Sequence, residues 1–502
     1  MIVFSIFITV VLIIFLNYCW KRRNWYRASW NLPGILSLPI IGGAYIFWNT
    51  TDILARGAEY LQKIGAVGLP FGFWLGPRFA IIVTSPEDAE IVINHPSSMH
   101  KGSFYEVAIE GMGGQGLLTA SGDYWKYHRK LLDPTIQNTK ILNSYYPTIN
   151  STLRILMDIL NEKSPNETFD IFSRIDACSF DLFAKSTLGV DCNVQREHCS
   201  FFESLNEALV VVRKRVLEPM YNIRPIFRLS KLYPMAKRAT AGMRAVVQDI
   251  IRKRMIALAS SDQSHQVEDE YEKRLRIFVD EAIQLTTEQK CFTEDELINE
   301  SLTILMTGFE TSAVSIANTV LMLAMHPQYQ EKVYEEIQKI CPNNDGDVTS
   351  EHLKELLFTE QCIKESMRLI PTVPLTSRLA TEDFYIGETY VPAGCEVALF
   401  LYVLHRNKNV WGNDANIYNP DRFLPERFEK QHPYSYLPYS AGPRNCIGKK
   451  YAQIVIRMFI VWLVRNFKFT TDLKFEELSL KWMVVLKANQ GYPVRIEKRL
   501  AK

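Results

Sequence analysis

The chain has 502 residues, 47% of them hydrophobic and 12% aromatic, enough apolar material for a large core and too much for a disordered protein. A formal net charge of +2 argues against a nucleic-acid binder. Nine cysteines, scattered from Cys19 to Cys446 without a CxxC pair, argue against a disulfide scaffold and for the reduced, cytosolic side of a membrane.

Ile2 to Trp20 is almost wholly apolar and uncharged, close to the roughly 20 residues a spanning helix needs. Lys21-Arg22-Arg23 follows at once, and positive charge after the span with none before it predicts an anchor that keeps the bulk of the chain in the cytoplasm. A cleaved signal peptide would want a basic start and a small-residue cleavage site, and neither is present. Three segments are expected: an anchor over 1–23, a hinge over 24–48 punctuated by Leu32-Pro33-Gly34 and Leu38-Pro39-Ile40-Ile41-Gly42-Gly43, and a globular domain over 49–502.

Phe71 to Trp74 and Phe79 to Val83, separated by Gly76-Pro77, read as a β-hairpin, and Ser85-Pro86 as a helix start. From about Ile141 to Leu258 the periodicity is mostly helical. Within it, Pro219 to Pro234 mixes apolar residues with Arg224, Arg228 and Lys231, a pattern that fits both an interfacial membrane contact and a helix connection packed on its own domain. Cys192, His198 and Cys199 match no zinc-ligand spacing. Ser260 to Glu272 reads as an exposed linker. Thr293 and Glu296 form a capping box that opens a long apolar helix, stopped by His326-Pro327 near Met325. Phe384 to Phe400 and Phe467 to Ile496 turn β-like, with a turn at Asn489-Gln490-Gly491. The fold class is mainly α with minor β.

Four stretches carry candidate chemistry. In Tyr439-Ser440-Ala441-Gly442-Pro443-Arg444-Asn445-Cys446-Ile447-Gly448 a single thiol precedes a helix, where unpaired backbone N–H groups and the positive dipole end favour a metal-ligating thiolate. Thr307-Gly308-Phe309-Glu310-Thr311 interrupts the long helix with a glycine and competing hydroxyls, a place able to bulge around a small ligand. Glu365 and Arg368 share a helix face at i, i+3, and Trp125 and Arg129 at i, i+4.

The cysteine loop resembles the haem-binding loop of the cytochrome P450 family, Phe-x-x-Gly-x-Arg-x-Cys-x-Gly, with Tyr439 in the place of Phe. With the other motifs in the family's order, the resemblance implies the cytochrome P450 fold behind one membrane helix, with haem b ligated by Cys446. It implies that Glu310 and Thr311 handle protons during dioxygen activation, and that Glu365 and Arg368 form a buried triad with Arg427 of Phe423-Leu424-Pro425-Glu426-Arg427-Phe428. Trp125, Arg129, Arg378 and Arg444 match haem-propionate partners, and Tyr439 brings a phenol near the thiolate. Phe104, Phe309, Val373, Met483 and Val484 fall in regions that usually line the substrate pocket.

The chain is most similar to the family-four branch, hydroxylases of fatty acids that are well represented in insects. Many members esterify haem through a Glu where this chain has Thr307, so its haem is expected to be non-covalent apart from the Cys446 ligation. The implied activity is insertion of one oxygen atom from O₂ into a lipophilic substrate (fatty acid, hormone or xenobiotic) on the cytoplasmic face of the endoplasmic reticulum membrane. Electrons would come from NADPH-cytochrome P450 reductase, with cytochrome b5 as an additional donor, docking near Lys126, Lys130, Lys449 and Lys450. Two alternatives are a peroxide-rearranging enzyme of the same fold, which needs neither O₂ nor reductase, and a non-catalytic haem-thiolate sensor.

Overall fold

The computed structural model describes residues 2–38, 41–47, 52–111, 114–164, 167–264 and 276–499. Helix α1 (Ile2–Lys21) is long and apolar enough to cross a membrane, and none of its most apolar window is buried by the rest of the chain. The join that follows is more ordered than its prolines and glycines predict. Arg23–Trp30 is helical, Trp25 donates to Ala393 O at 3.1 Å, and Gly43 N donates to Trp74 O at 2.7 Å. At Gly42 (φ +62) an added Cβ would lie 2.3 Å from Trp74 O, so only glycine lets this segment reach the first hairpin. Pro39 and Ile40, part of the expected hinge, lie outside the described residues.

That hairpin, β1 (Phe71–Leu75) and β2 (Arg78–Val83), closes with Leu75 opposite Arg78 across Gly76-Pro77. With β3 (His100–Lys101), β4 (Thr376–Leu379) and β5 (Glu396–Leu399) it forms a five-stranded sheet in the order β1-β2-β5-β4-β3, parallel only between β2 and β5. Ser85 caps the next helix through Asp88 N, with Pro86 in its first turn.

Around this sheet lies the helical body: α2 (Ser103–Gly111), α3 (Gly122–Ile136), α4 (Phe172–Thr187), α5 (Phe201–Leu217), α6 (Arg224–Leu229) and α7 (Leu232–Ser264). The helix α7 runs to Ser264, past the Ser260 where a linker is expected; residues 265–275 are not described. Next come α8 (Glu294–Met325), α9 (Leu357–Leu369) and α10 (Lys449–Asn466). A two-stranded hairpin, β6 (Leu480–Met483) and β7 (Val485–Ala488), turns at Val484; the Asn489-Gln490-Gly491 turn leads instead to another sheet.

Helix α8 is the organising element. Its capping box is formed, with Glu296 N donating to Thr293 Oγ1 at 3.2 Å and Thr293 N to Glu296 Oε2 at 2.8 Å. It runs 32 residues, about 48 Å at 1.5 Å per residue, and 83% of its most apolar window is buried against α4, α10 and their neighbours, so it is a core helix.

Candidate functional site

Gly308 does not open a bulge, as its sequence context suggests, and α8 is helical throughout Thr307–Thr311. The glycine instead admits α4: an added Cβ would sit 1.9 Å from Phe183 Cε2. The neighbouring hydroxyls are turned onto the helix backbone, Thr307 Oγ1 to Thr303 O at 2.7 Å and Thr311 Oγ1 to Thr307 O at 2.6 Å. Glu310 points to another face, where its Oε1 meets Lys487 Nζ of β7 at 2.8 Å. Asp176 of α4 joins this cluster with an unpartnered, buried Oδ1, and burial followed by the Glu310 charge pushes its carboxyl up to about 8, opposed by Lys487.

The cysteine loop leads into α10. Cys446 N donates to Tyr439 O at 2.9 Å and Asn445 N to Gly442 O at 3.1 Å, closing two turns. Gly442 has φ +65, and a Cβ there would meet Ile93 Cγ2 at 2.7 Å. The Cys446 side chain is open to solvent although it lies deep in the fold. Burial pushes the thiol up, while the Gly448 N–H and the cations Arg129, Lys101 and Lys449 draw it back. The Tyr439 phenol is directed away, to Met367 Sδ at 4.0 Å, so the substitution for Phe adds no hydrogen bond to the thiol.

Arg129 holds the loop in this structure. Its Nη1 and Nη2 donate to Asn445 O and Oδ1, both at 3.0 Å, and its Nε lies 2.8 Å from Asp133 Oδ1. Helix α3 is held against α8 by a pair that the motifs did not reveal, buried His128 Nδ1 at 2.8 Å from buried Glu300 Oε1, whose second oxygen accepts from Leu117 N at 3.0 Å.

Arg444 is buried, lies 4.1 Å above the Trp125 ring and donates once, to Ala120 O at 2.8 Å; its buried Nη1 has no partner. Arg378 is buried on β4, and Lys101, a residue the motifs missed, is its Cα partner on β3. Burial and mutual repulsion draw Lys101 well below the ordinary ammonium range and Arg444 down to about 9. No ion pair links Lys101, Arg378 or Arg444 to a carboxylate among the described residues. Converging, desolvated cations without an anion are costly on their own and suit a ligand bearing acidic groups. An open thiol beside three cations and a tryptophan face fits a metal-centred, flat, apolar cofactor with two carboxylates, which is the chemistry of haem b.

Below the loop, Glu365 and Arg368 of α9 are fully buried and bidentate, Nε–Oε2 and Nη2–Oε1 both at 2.7 Å. Arg368 Nη1 also donates to His405 O and Ala415 O, and Asn419 N donates to Glu365 Oε1. The third member is Arg422, with Nε 3.6 Å from Glu365 Oε1 and Nη2 2.6 Å from Asp414 Oδ2. Arg427 is exposed and takes no part, which corrects the expected triad. The chain carries the pattern twice, Pro420-Asp421-Arg422-Phe423 and Pro425-Glu426-Arg427-Phe428, and buried Phe423 anchors the first copy beside α9.

Of the expected pocket residues, Phe104 stacks on Trp482 with ring centroids 5.8 Å apart, and Leu486 N of β7 donates to Thr372 O, the neighbour of Val373, at 2.9 Å. Phe309 is a correction: it is fully buried among Phe180, Phe201 and Phe202 in the helical core.

The family model described as Cytochrome P450 matches residues 33–495. The chain is 29% identical over 503 residues to probable cytochrome P450 313a4 of Drosophila melanogaster, covering 99% of this chain and all of that protein. It is also 29% identical over 485 residues to cytochrome P450 4c21 of Blattella germanica, covering 95% and 96%. Cytochrome P450 4c3 of Drosophila melanogaster is 28% identical over 511 residues, covering 99% and 94%.

Proposed function

The chain belongs to the cytochrome P450 family of haem b monooxygenases with cysteine thiolate ligation, and on that premise we propose that Cys446 would supply the thiolate ligand and that Lys101, Arg378, Arg444 and Trp125 would hold the haem acids. The observation that carries this reading is the open Cys446 thiol beside desolvated cations that have no carboxylate of their own. Bound there, haem would supply the oxygen-activating chemistry, with the Cys446 thiolate as its electron-donating ligand.

The residues divide the remaining work. Arg129 grips Asn445 and so fixes the loop that presents the thiol. The Thr311 hydroxyl spends its proton on Thr307 O, which leaves its oxygen to accept from a water and hold it at that atom. Glu310 pairs with Lys487, whose side chain is 19% exposed, and this pair is the route by which protons pass between solvent and the helix.

The substrate is a lipophilic molecule of the fatty acid, hormone or xenobiotic kind. Electrons come from NADPH through cytochrome P450 reductase, with cytochrome b5 as a second donor. The exposed Lys126, Lys130, Lys449 and Lys450 form the docking patch. The anchor over 1–23 and hinge over 24–48 hold the domain over 49–502 on the cytoplasmic face of the endoplasmic reticulum. The test is the carbonyl adduct of the reduced protein together with turnover. A thiolate-type Soret band lost in Cys446→Ser, with NADPH-dependent product formation, is expected. A histidine-type band overturns the ligand assignment, turnover on a peroxide substrate alone favours the rearranging enzyme, and NADPH-independent binding without product favours a sensor. Reversing Lys449 and Lys450 should slow reduction and flatten its salt dependence.

A further inference from the structure

Helix α4 turns one face toward Glu310, and that face carries an acid, Asp176, that neither the cysteine loop nor the buried triad uses. Phe172, Asp176, Ser179 and Phe183 recur at the three- and four-residue steps that align side chains along a helix. The other three all touch the surroundings of Glu310. Lys487 Nζ lies 4.5 Å above the Phe172 ring and 2.8 Å from Glu310 Oε1. Ser179 Oγ donates to Phe309 O at 3.0 Å, and Phe183 packs on Gly308. Asp176 therefore stands beside Glu310 and Lys487, and its buried Oδ1 has no hydrogen-bond partner among the described residues.

Two carboxyls thus face one lysine. An ammonium balances one carboxylate, and a second carboxylate in the same desolvated space repels the first, so such a group of three is stable with one proton retained. Lys487 touches Glu310, which leaves the retained proton on Asp176. In keeping with this, burial first and the Glu310 charge second push the Asp176 carboxyl up to about 8, with Lys487 opposing. Tyr492, a further titratable neighbour, is pushed up by burial and spends its hydroxyl on Asn318 Oδ1 at 3.0 Å, so it does not compete for this proton.

We propose that Asp176 is a positioning residue for proton delivery, holding a proton in reserve for Glu310 and acting through it. The proposal rests on the reading of Glu310 and Lys487 as the proton route and adds a store to that route. The Asp176 O–H bond breaks as its proton passes to Glu310, and Glu310 passes one on to the water at Thr311. Asp176 is left as a carboxylate facing Lys487 and takes a proton back from solvent at the exposed edge of that side chain. One proton enters, one leaves, and no electron moves.

Infrared titration of the haem-loaded full chain reads the store without turnover. The expected result is a protonated-carboxyl C=O band, shifted in D₂O, that fades as pH rises through about 8 and is missing from Asp176→Asn. Removing the neighbours should move the fading in opposite directions, to higher pH in Lys487→Met and to lower pH in Glu310→Gln. The absence of any such band, its survival in Asp176→Asn, or its indifference to both neighbours would overturn the proposal. The second readout is substrate-free turnover with NADPH and cytochrome P450 reductase, in which O₂ goes either to hydrogen peroxide or, with more protons, to water. The water-forming share should fall about tenfold in Asp176→Asn, less than the ~100-fold or more of a directly acting general acid, and should lose its pH dependence near pH 8 while the carbonyl spectrum stays native. A wild-type share in Asp176→Asn beside a low one in Glu310→Gln overturns the role of Asp176 and leaves that of Glu310 standing. Wild-type shares in both variants overturn the Glu310 reading itself.

Discussion

Lys101 and Arg378 stand directly across the antiparallel β3–β4 ladder from each other, two cations paired with no carboxylate. Like charges facing each other in a ladder cost up to about 1 kcal/mol, and here Arg444 adds a third. An acidic ligand reverses the sign of that interaction. Lys101→Met should therefore stabilise the haem-free protein slightly and weaken haem retention by about 10- to 100-fold, the worth of one charged hydrogen bond. Haem transfer to an excess of scavenging apoprotein, set beside urea unfolding of the haem-free form, reads both signs.

The correction of the triad makes a paired prediction. Arg427→Ala, on an exposed side chain, should change stability by less than about 0.5 kcal/mol. Arg422→Ala removes a cation from beside buried Glu365 and from Asp414, and should cost about 1–3 kcal/mol. Arg368→Ala should cost about 3–5 kcal/mol, because Glu365 is then left buried without its bidentate partner. Urea midpoints of the three variants check the ranking.

At Gly308 the demand is for space. Gly308→Ala should destabilise by about 1–3 kcal/mol, even though alanine is the better helix former, because its methyl collides with Phe183. Adding Phe183→Leu should recover part of the loss in a double-mutant cycle.

Val484 holds φ +76 at the β6–β7 turn, where a β-branched side chain is strained. Val484→Asn should raise stability by about 1 kcal/mol, since Asn tolerates this conformation. The same change alters the turn of the hairpin whose strand β7 is bonded to Thr372, so a shifted substrate-binding spectrum is expected along with the higher Tm.

Asp176, pushed up to about 8, makes stability depend on pH. In the unfolded chain its carboxyl titrates near about 3.9. Between these values the folded state keeps a proton that the unfolded state has released, so this group's contribution is full below pH ~4 and is lost as pH rises through about 8. Asp176→Asn should flatten that decline, and melting at pH 5 and pH 8 measures it. Glu310 and Lys487 are the charged groups facing it.

Several features were legible before any folding was considered because each rests on local chemistry: the Thr293–Glu296 cap, the hairpin at Gly76-Pro77, the apolar α1, and a thiol held between glycines ahead of α10. Such signals lie within a few residues of one another, and short-range sterics and hydrogen bonds decide them. The partners across the fold were settled only by packing. Arg422 and Arg427 sit in the same tetrapeptide pattern and differ only in which one reaches α9; Lys101 belongs to no motif and acquires its setting from Arg378, 277 residues away. Gly308 suggests flexibility by sequence yet serves a close contact with Phe183. Local propensity cannot choose among such options, because burial, charge pairing and steric contact depend on residues that meet only when the chain has folded.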